Sequence, residues 1–196
     1  NSFFVYEHIR DSKGNPIFTD TNGDATINEQ DIYKDQNGDG TINQDDLRPF
    51  HDPSPKWILG HSSYMTYGKF DFGFTLRAYL GNYVYNNVAS NLGTFSEVNR
   101  GSPYNLHSSV LKTGFTSQQL FSDFYVERAS FLRMDNLTVG YSFNLRGQSA
   151  RAFGTVQNAF TITGYSGVDP TAGLNGIDNN LYPRSRTLTG GLSLQF

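Results

Sequence analysis

The chain has 196 residues, of which 15% are aromatic and 17% charged, with 20 glycines, no cysteine and a formal net charge of −3. That length suits one globular domain, the charge lacks the basic footprint of a nucleic-acid binder, and the missing cysteines exclude disulfides and thiol chemistry. There is no run of about 18 apolar residues to make a spanning helix, but membrane β-strands alternate two faces and escape such a count. Asn1 is not an initiator methionine, so a mature, cleaved or truncated chain is expected. The scattered histidines (His8, His51, His61, His107) are expected on surfaces and in loops. No nucleophile elbow, phosphate-binding glycine loop or acid pair is present, so no enzyme is expected.

In chain order, "NSFFVYEHI" offers a first strand, and two acidic stretches follow between residues 20 and 46. "WILGHSSYMTYG", from 57, alternates imperfectly and is joined by Tyr67-Gly68-Lys69 to the clearest strand, "KFDFGFTLRAYLGN". There Phe70, Phe72, Phe74, Leu76, Ala78 and Leu80 share one face, while Asp71, Gly73, Thr75, Arg77, Tyr79 and Gly81 share the other. Such strict alternation matches the roughly 9–11 residues of a tilted membrane strand. A polar connection over roughly 83–122 leads to "NLTVGYSFN", with Leu137, Val139, Tyr141 and Phe143 opposite Thr138, Gly140 and Ser142. Arg133 and Asp135 break that phase and predict a bulge or a lumen-facing start. A short turn at 145–149 leads to "ARAFGTVQNAFTIT"; a second long connection over roughly 164–186 precedes "TLTGGLSLQF". In the last stretch Leu188, Gly190, Leu192, Leu194 and Phe196 face away from Thr187, Thr189, Gly191, Ser193 and Gln195.

Short turns alternating with long loops is the arrangement of outer-membrane barrels, the short turns periplasmic and the long loops extracellular. Tyr67, Phe70 and Phe143 at one end, and Tyr79, Tyr83 and Tyr85 at the other, suit two interfacial girdles. If the last strand ends in the periplasm at Phe196, the turns at 67–69 and 145–149 are periplasmic, and the loops at 83–122 and about 8–55 are extracellular. Tyr104, Phe115, Phe121 and Tyr182 are expected to pack within these loops rather than stack on sugars. A soluble β-sandwich is the rival fold.

The acidic stretches read "DTNGDATINEQD" and "DQNGDGTINQDD". Calcium loops place oxygen ligands at positions 1, 3 and 5, a backbone carbonyl at 7 and a carboxylate at 12. The second fits with Asp35, Asn37, Asp39, the Thr41 carbonyl and Asp46, with Gly40 at the sharp turn. The first supplies Asp20, Asn22, Asp24, Thr26 and Asp31, but Ala25 stands at the turn glycine and leaves its geometry open. Only three residues separate Asp31 from Asp35, too few for the helices of an EF-hand pair. One or two structural Ca²⁺ ions are therefore expected, giving shape to a long loop with no core of its own. A solvated Asn/Gly/Asp turn series without an ion is the alternative.

Taken together, the chain resembles SusC/RagA-type TonB-dependent outer-membrane transporters over nearly its whole length. The matching stretches run in the family's order: the D-x-N-G-D-G-x-I loop, "PSPKWILG", "LRAYLGNYVYNNVAS", "YVERASFLRMDNLTVGYSF", "QNAFTITGYSGVDP" and "GIDNNLYPRSRTLTGGLSLQF". The departures are Ala25 in the first loop and Met134-Asp135, where a Leu-Lys pair is commoner. The resemblance implies an all-β fold: the C-terminal antiparallel strands of a 22-stranded transmembrane barrel, with an extracellular loop over 10–55 and strands and loops over 56–196. It implies import of glycans or peptides through the outer membrane of a Gram-negative bacterium, coupled to TonB through a plug absent from this chain. A SusD-like surface lipoprotein, membrane lipid and the remaining barrel strands are the implied partners. The rival function is a secreted calcium-binding adhesin or glycan-binding β-domain, which detergent dependence would separate. Membrane strands tolerate no open edge toward lipid, so the first and last strands are expected to pair outside this chain or to end as bare edges.

Overall fold

The elements run β1 (Phe3–Val5), α1 (Glu29–Ile32), β2 (Arg48–Phe50), β3 (Trp57–Tyr67), β4 (Phe70–Leu80), β5 (Tyr83–Asn86), α2 (Asn87–Leu92), α3 (Val110–Thr113), β6 (Val126–Arg128), β7 (Phe131–Leu145), β8 (Gln148–Thr163), β9 (Ile177–Asp178) and β10 (Thr187–Gln195). They come from a computed structural model that describes residues 2–100, 105–173, 175–179 and 182–195. Two compact units divide them. One comprises Asn1–Ser54, Tyr83–Arg128 and Ser166–Leu181, the other Pro55–Asn82, Ala129–Tyr165 and Tyr182–Phe196.

The second unit is a five-stranded antiparallel sheet in the order β10-β8-β7-β4-β3. β3 and β4 pair from Trp57 opposite Leu80 to Tyr67 opposite Phe70. Gly68, at φ 60, starts the two-residue turn between them, as a type II′ hairpin requires. β7 and β8 close with Leu145 opposite Gln148, across Arg146 at φ 52 and Gly147 at φ 87. Positive φ at both central residues is the type I′ geometry. Phe70 faces Tyr141, so both short turns lie at one end of the sheet, and the long connections leave from the other. The edge strands β3 and β10 each have one neighbour among the described residues, so the sheet stays open. Phe196 lies outside the described residues.

Directly opposed residues of an antiparallel pair share a face, so the register assigns both sides of the sheet. One side carries Phe70 with Tyr141, Phe72 with Val139, Phe74 with Leu137, Leu76 with Met134 and Ala78 with Leu132. It continues through Trp57, Leu59 and Met65 on β3, and through Leu188, Leu192 and Leu194 on β10. Leu188 is 76% exposed and Leu192 70%, so nothing among the described residues covers them. The other side is polar: Ser62 bonds Thr75 (3.1 Å) and Thr138 bonds Thr155 (2.9 Å). The predicted bulge is present, since β7 shifts register at Asp135 against both β4 and β8. The extra residue lets odd-numbered Arg133 and even-numbered Asn136 occupy the same polar face. Asp135 accepts a bond from Arg77 (3.0 Å), relieving the direct opposition of Arg77 and Arg133.

On that polar face Arg151 of β8 reaches across β7 to Asp71 of β4. Its Nε and Nη2 donate to the two carboxylate oxygens at 2.8 and 2.6 Å. The strand crossed carries Gly140 at this point, opposite both Asp71 and Phe153. A Cβ at 140 would sit within 2.5 Å of Arg151 Nε, so the missing side chain is the space the ion pair occupies. Gly191 does the same for the ring of Phe153 from the neighbouring strand.

In the first unit "NSFFVYEHI" holds a strand, as expected, but not one of the five-stranded sheet. It contributes only β1, three residues paired with β2. The long connections also have a core of their own, against expectation. Ile32, Tyr33, Tyr85, Ala89, Phe115 and Tyr125 form it, with Phe18, Phe124 and Ile177 packed around. These residues come from three separated segments, so no local periodicity announces them. β5 pairs antiparallel with β6 and parallel with β9, which ties two of those segments together.

His8 is fully buried in this unit rather than on a surface. The rings of Phe18, Tyr33, Phe115 and Phe124 surround it, and its Nε2 lies 2.7 Å from Ser122 Oγ. Burial lowers its pKa from 6.5 to about 4, because the charged imidazolium is poorly solvated there.

Candidate functional site

The two acidic stretches fold into near-copies. In the first, Asp20 accepts from the backbone N–H groups of Gly23 (2.6 Å) and Ala25 (2.8 Å), Asn22 Oδ1 from Asp24 (2.9 Å), and Asp24 Oδ1 from Thr26 (2.8 Å). In the second, Asp35 accepts from Gly38 (2.7 Å) and Gly40 (2.8 Å), Asn37 from Asp39 (2.9 Å), and Asp39 from Thr41 (2.8 Å). Ala25 adopts φ 65, close to the 83° of Gly40, so it makes the turn that its side chain disfavours. Left-handed backbone at a non-glycine residue costs roughly 1–2 kcal/mol.

The twelfth residue of each loop is also a helix cap. Asp31 Oδ2 accepts from Asn28 N (3.0 Å) in the capping box of α1, while its Oδ1 accepts from Thr21 N (3.0 Å) and Asn22 N (3.1 Å). Asp46 caps the 3₁₀ turn Gln44–Asp46 in the same way, through Asn43 N (2.8 Å) and Gln36 N (2.7 Å). Both aspartates lie below the usual carboxylate range, chiefly through the N–H of Asn28 and of Asn43 respectively. The Thr26 and Thr41 carbonyls, at position 7, accept from Asn28 Nδ2 (3.4 Å) and Asn43 Nδ2 (3.3 Å).

Among the described residues, the acidic set whose carboxylate oxygens come within 4.8 Å of one another is Asp20, Asp24 and Asp31. Asp35, Asp39 and Asp46 share its hydrogen-bond pattern without meeting that spacing as a set, although the sequence favoured their loop. Each carboxylate oxygen has two lone pairs, so one that accepts an N–H can still face a cation. The donors are all hard oxygens, the set that calcium takes. Ile32 and Tyr33 run straight from the first loop into the core, and Gln30 Oε1 accepts from Ile42 N (3.3 Å), joining the loops.

Of the loop aromatics, Phe115 is in the core as expected. Phe121 is half-exposed at φ 55, Tyr182 is 95% exposed, and Tyr104 lies outside the described residues. Neither the burial of His8 nor the Asp71–Arg151 pair was singled out by the sequence, since their side-chain hydrogen-bond partners lie 80 or more residues away.

No family model matches the chain. Over its full length it is 39% identical to the TonB-dependent receptor SusC of Bacteroides thetaiotaomicron, covering 19% of that protein. The TonB-dependent receptor P3 of Formosa agariphila is 30% identical over 74% of the chain, which covers 17% of that relative. Among solved structures, the RagAB peptide transporter superposes with a TM-score of 0.68 at 20% identity, over all of this chain and 23% of that one.

The chain belongs to the SusC/RagA-type TonB-dependent receptors. It spans about a fifth of the length of the curated relatives it matches. Its all-β fold matches the barrel portion of the RagA structure, with the two-faced sheet as wall. The family is one of transport receptors, not enzymes.

Proposed function

We propose that the chain is part of an active importer in the outer membrane of a Gram-negative bacterium. β3, β4, β7, β8 and β10 are wall strands with Phe72, Phe74 and Leu76 toward lipid, and Asp71, Thr75 and Arg77 toward the lumen and its plug. The observation that carries this reading is the two-faced sheet, predominantly apolar on one side, with His61 and Ser63 of β3 the polar exceptions, and predominantly polar on the other, in a chain of this family. The acidic loops and the connections 83–122 and 164–186 face the cell exterior. A SusD-like lipoprotein delivers substrate from that side, and TonB, acting on a plug outside this chain, supplies the energy. The substrate is a glycan or a peptide.

The acidic loops hold one or two structural Ca²⁺ ions, with the convergence of Asp20, Asp24 and Asp31 as support. Extracellular modules need only weak affinity, about 10⁻⁴–10⁻³ M. The test of the transport reading is nutrient uptake by cells carrying the full-length protein, with and without TonB and the proton gradient. Loss of uptake in both deficient cases is expected; uptake that persists in either would overturn the reading.

A further inference from the structure

Glycine follows asparagine three times in the chain, at Asn22-Gly23, Asn37-Gly38 and Asn175-Gly176. Such a step is open to deamidation, because glycine has no side chain to hinder attack by its own nitrogen on the asparagine carboxamide. The glycine N–H loses its proton and the nitrogen bonds to asparagine Cγ. A five-membered succinimide closes as the carboxamide C–N bond breaks and ammonia leaves. Water then opens the ring at either carbonyl, giving aspartate or isoaspartate.

All three steps fold in the same way. Each glycine N–H donates to an oxygen three residues back: Gly23 to Asp20 Oδ1 (2.6 Å), Gly38 to Asp35 Oδ1 (2.7 Å) and Gly176 to the Gly173 carbonyl (2.9 Å). Each asparagine Oδ1 accepts from the N–H two residues on, that of Asp24 (2.9 Å), Asp39 (2.9 Å) or Ile177 (3.2 Å). The electron pair left by deprotonation lies along the former N–H bond, so it aims at the accepting oxygen instead of Cγ. At Gly23 and Gly38 that oxygen belongs to a carboxylate, and a neighbouring negative charge also disfavours the nitrogen anion.

The third step is enclosed as well. Gly176 is buried, and a Cβ there would strike Pro53. Asn22, Gly23, Asn37 and Gly38 are exposed, so water and base reach them and the aspartate alone stands guard.

We infer that Asn22 and Asn37 are latent deamidation sites, each held closed by the aspartate two residues before it. Opening either site puts a carboxylate, or an isoaspartate with its longer main chain, at the third position of its acidic loop.

The test is peptide mapping by mass spectrometry of the full-length protein incubated in mildly alkaline buffer. It follows, at each site, the mass gained when a carboxamide becomes an acid. In wild type, Asn22 and Asn37 should react at least about tenfold more slowly than in synthetic peptides of the same sequences, a factor within reach of charge-assisted hydrogen bonds. Asp35→Ala should speed the reaction at Asn37 alone and Asp20→Ala at Asn22 alone, with Asn175 unchanged in both. Wild-type rates equal to those of the peptides, no acceleration in either variant, or a rise at all three sites together, overturns the inference.

Discussion

Replacing Gly140 with alanine isolates one interaction of the polar wall. The added Cβ would press within 2.5 Å of Arg151 Nε and closer still to Asp71 Oδ2, so the pair bridging β4 and β8 must open. Hydrogen bonds to charged groups contribute about 1.5–3 kcal/mol each. The Arg151 side chain is 32% exposed against 5% for Asp71, so solvent screens part of that contribution. Alanine recovers about 0.5–1 kcal/mol relative to glycine within a strand. The net loss is then roughly 1–3 kcal/mol. The assay is the thermal midpoint of the full-length barrel, read by heat-modifiable migration on gels, for Gly140→Ala, Asp71→Ala and the double variant. Once Asp71 is gone, alanine at 140 has no ion pair to break and should cost little. A Gly140→Ala midpoint at or above wild type, or an equal cost in the Asp71→Ala background, would refute the reasoning.

Phe74→Arg should cost about 2–4 kcal/mol if the site is near the bilayer midplane, and a cysteine at 75 should react with a polar reagent while one at 74 stays protected; the reverse labelling pattern would invert the two faces. Calcium at millimolar concentration should be taken up by the acidic loops, and Asp39→Ala should speed hydrogen exchange over residues 20–46 while leaving barrel assembly intact; titration heats equal to the buffer blank would remove the ion. The unfolded chain protonates His8 near 6.5 and the folded chain only near 4, so the unfolded state binds the extra proton and the first unit loses stability as pH falls through that window. The loss is on the order of 3 kcal/mol, with Asp123 and Arg10 the charged groups acting on the ring. Hydrogen exchange of residues 2–54, corrected for intrinsic rate, should rise between pH 7 and 5 in wild type and not in His8→Phe; an equal rise in both would clear His8.

The strands were legible because a period-two pattern is local. The alternation from Phe70 to Leu80, and that of Leu188, Leu192 and Leu194, required only neighbours along the chain, and both reappear as single faces. The turns at Gly68 and Gly147 and the bulge at Asp135 were equally readable, since each depends on a few adjacent residues. The oxygen ladder of the acidic loops was readable by spacing, but the spacing favoured the loop with Gly40, whereas the tighter carboxylate cluster formed around Ala25. Tertiary structure alone decided the rest. Asp71 meets Arg151 only because two hairpins pair and Gly140 leaves room between them. The core under the loops joins Ile32, Tyr85 and Tyr125, residues that share no local pattern, and His8 is buried by rings from four separate places in the chain. Alternation is written in backbone geometry that every strand shares, whereas these contacts depend on which distant segments close on one another.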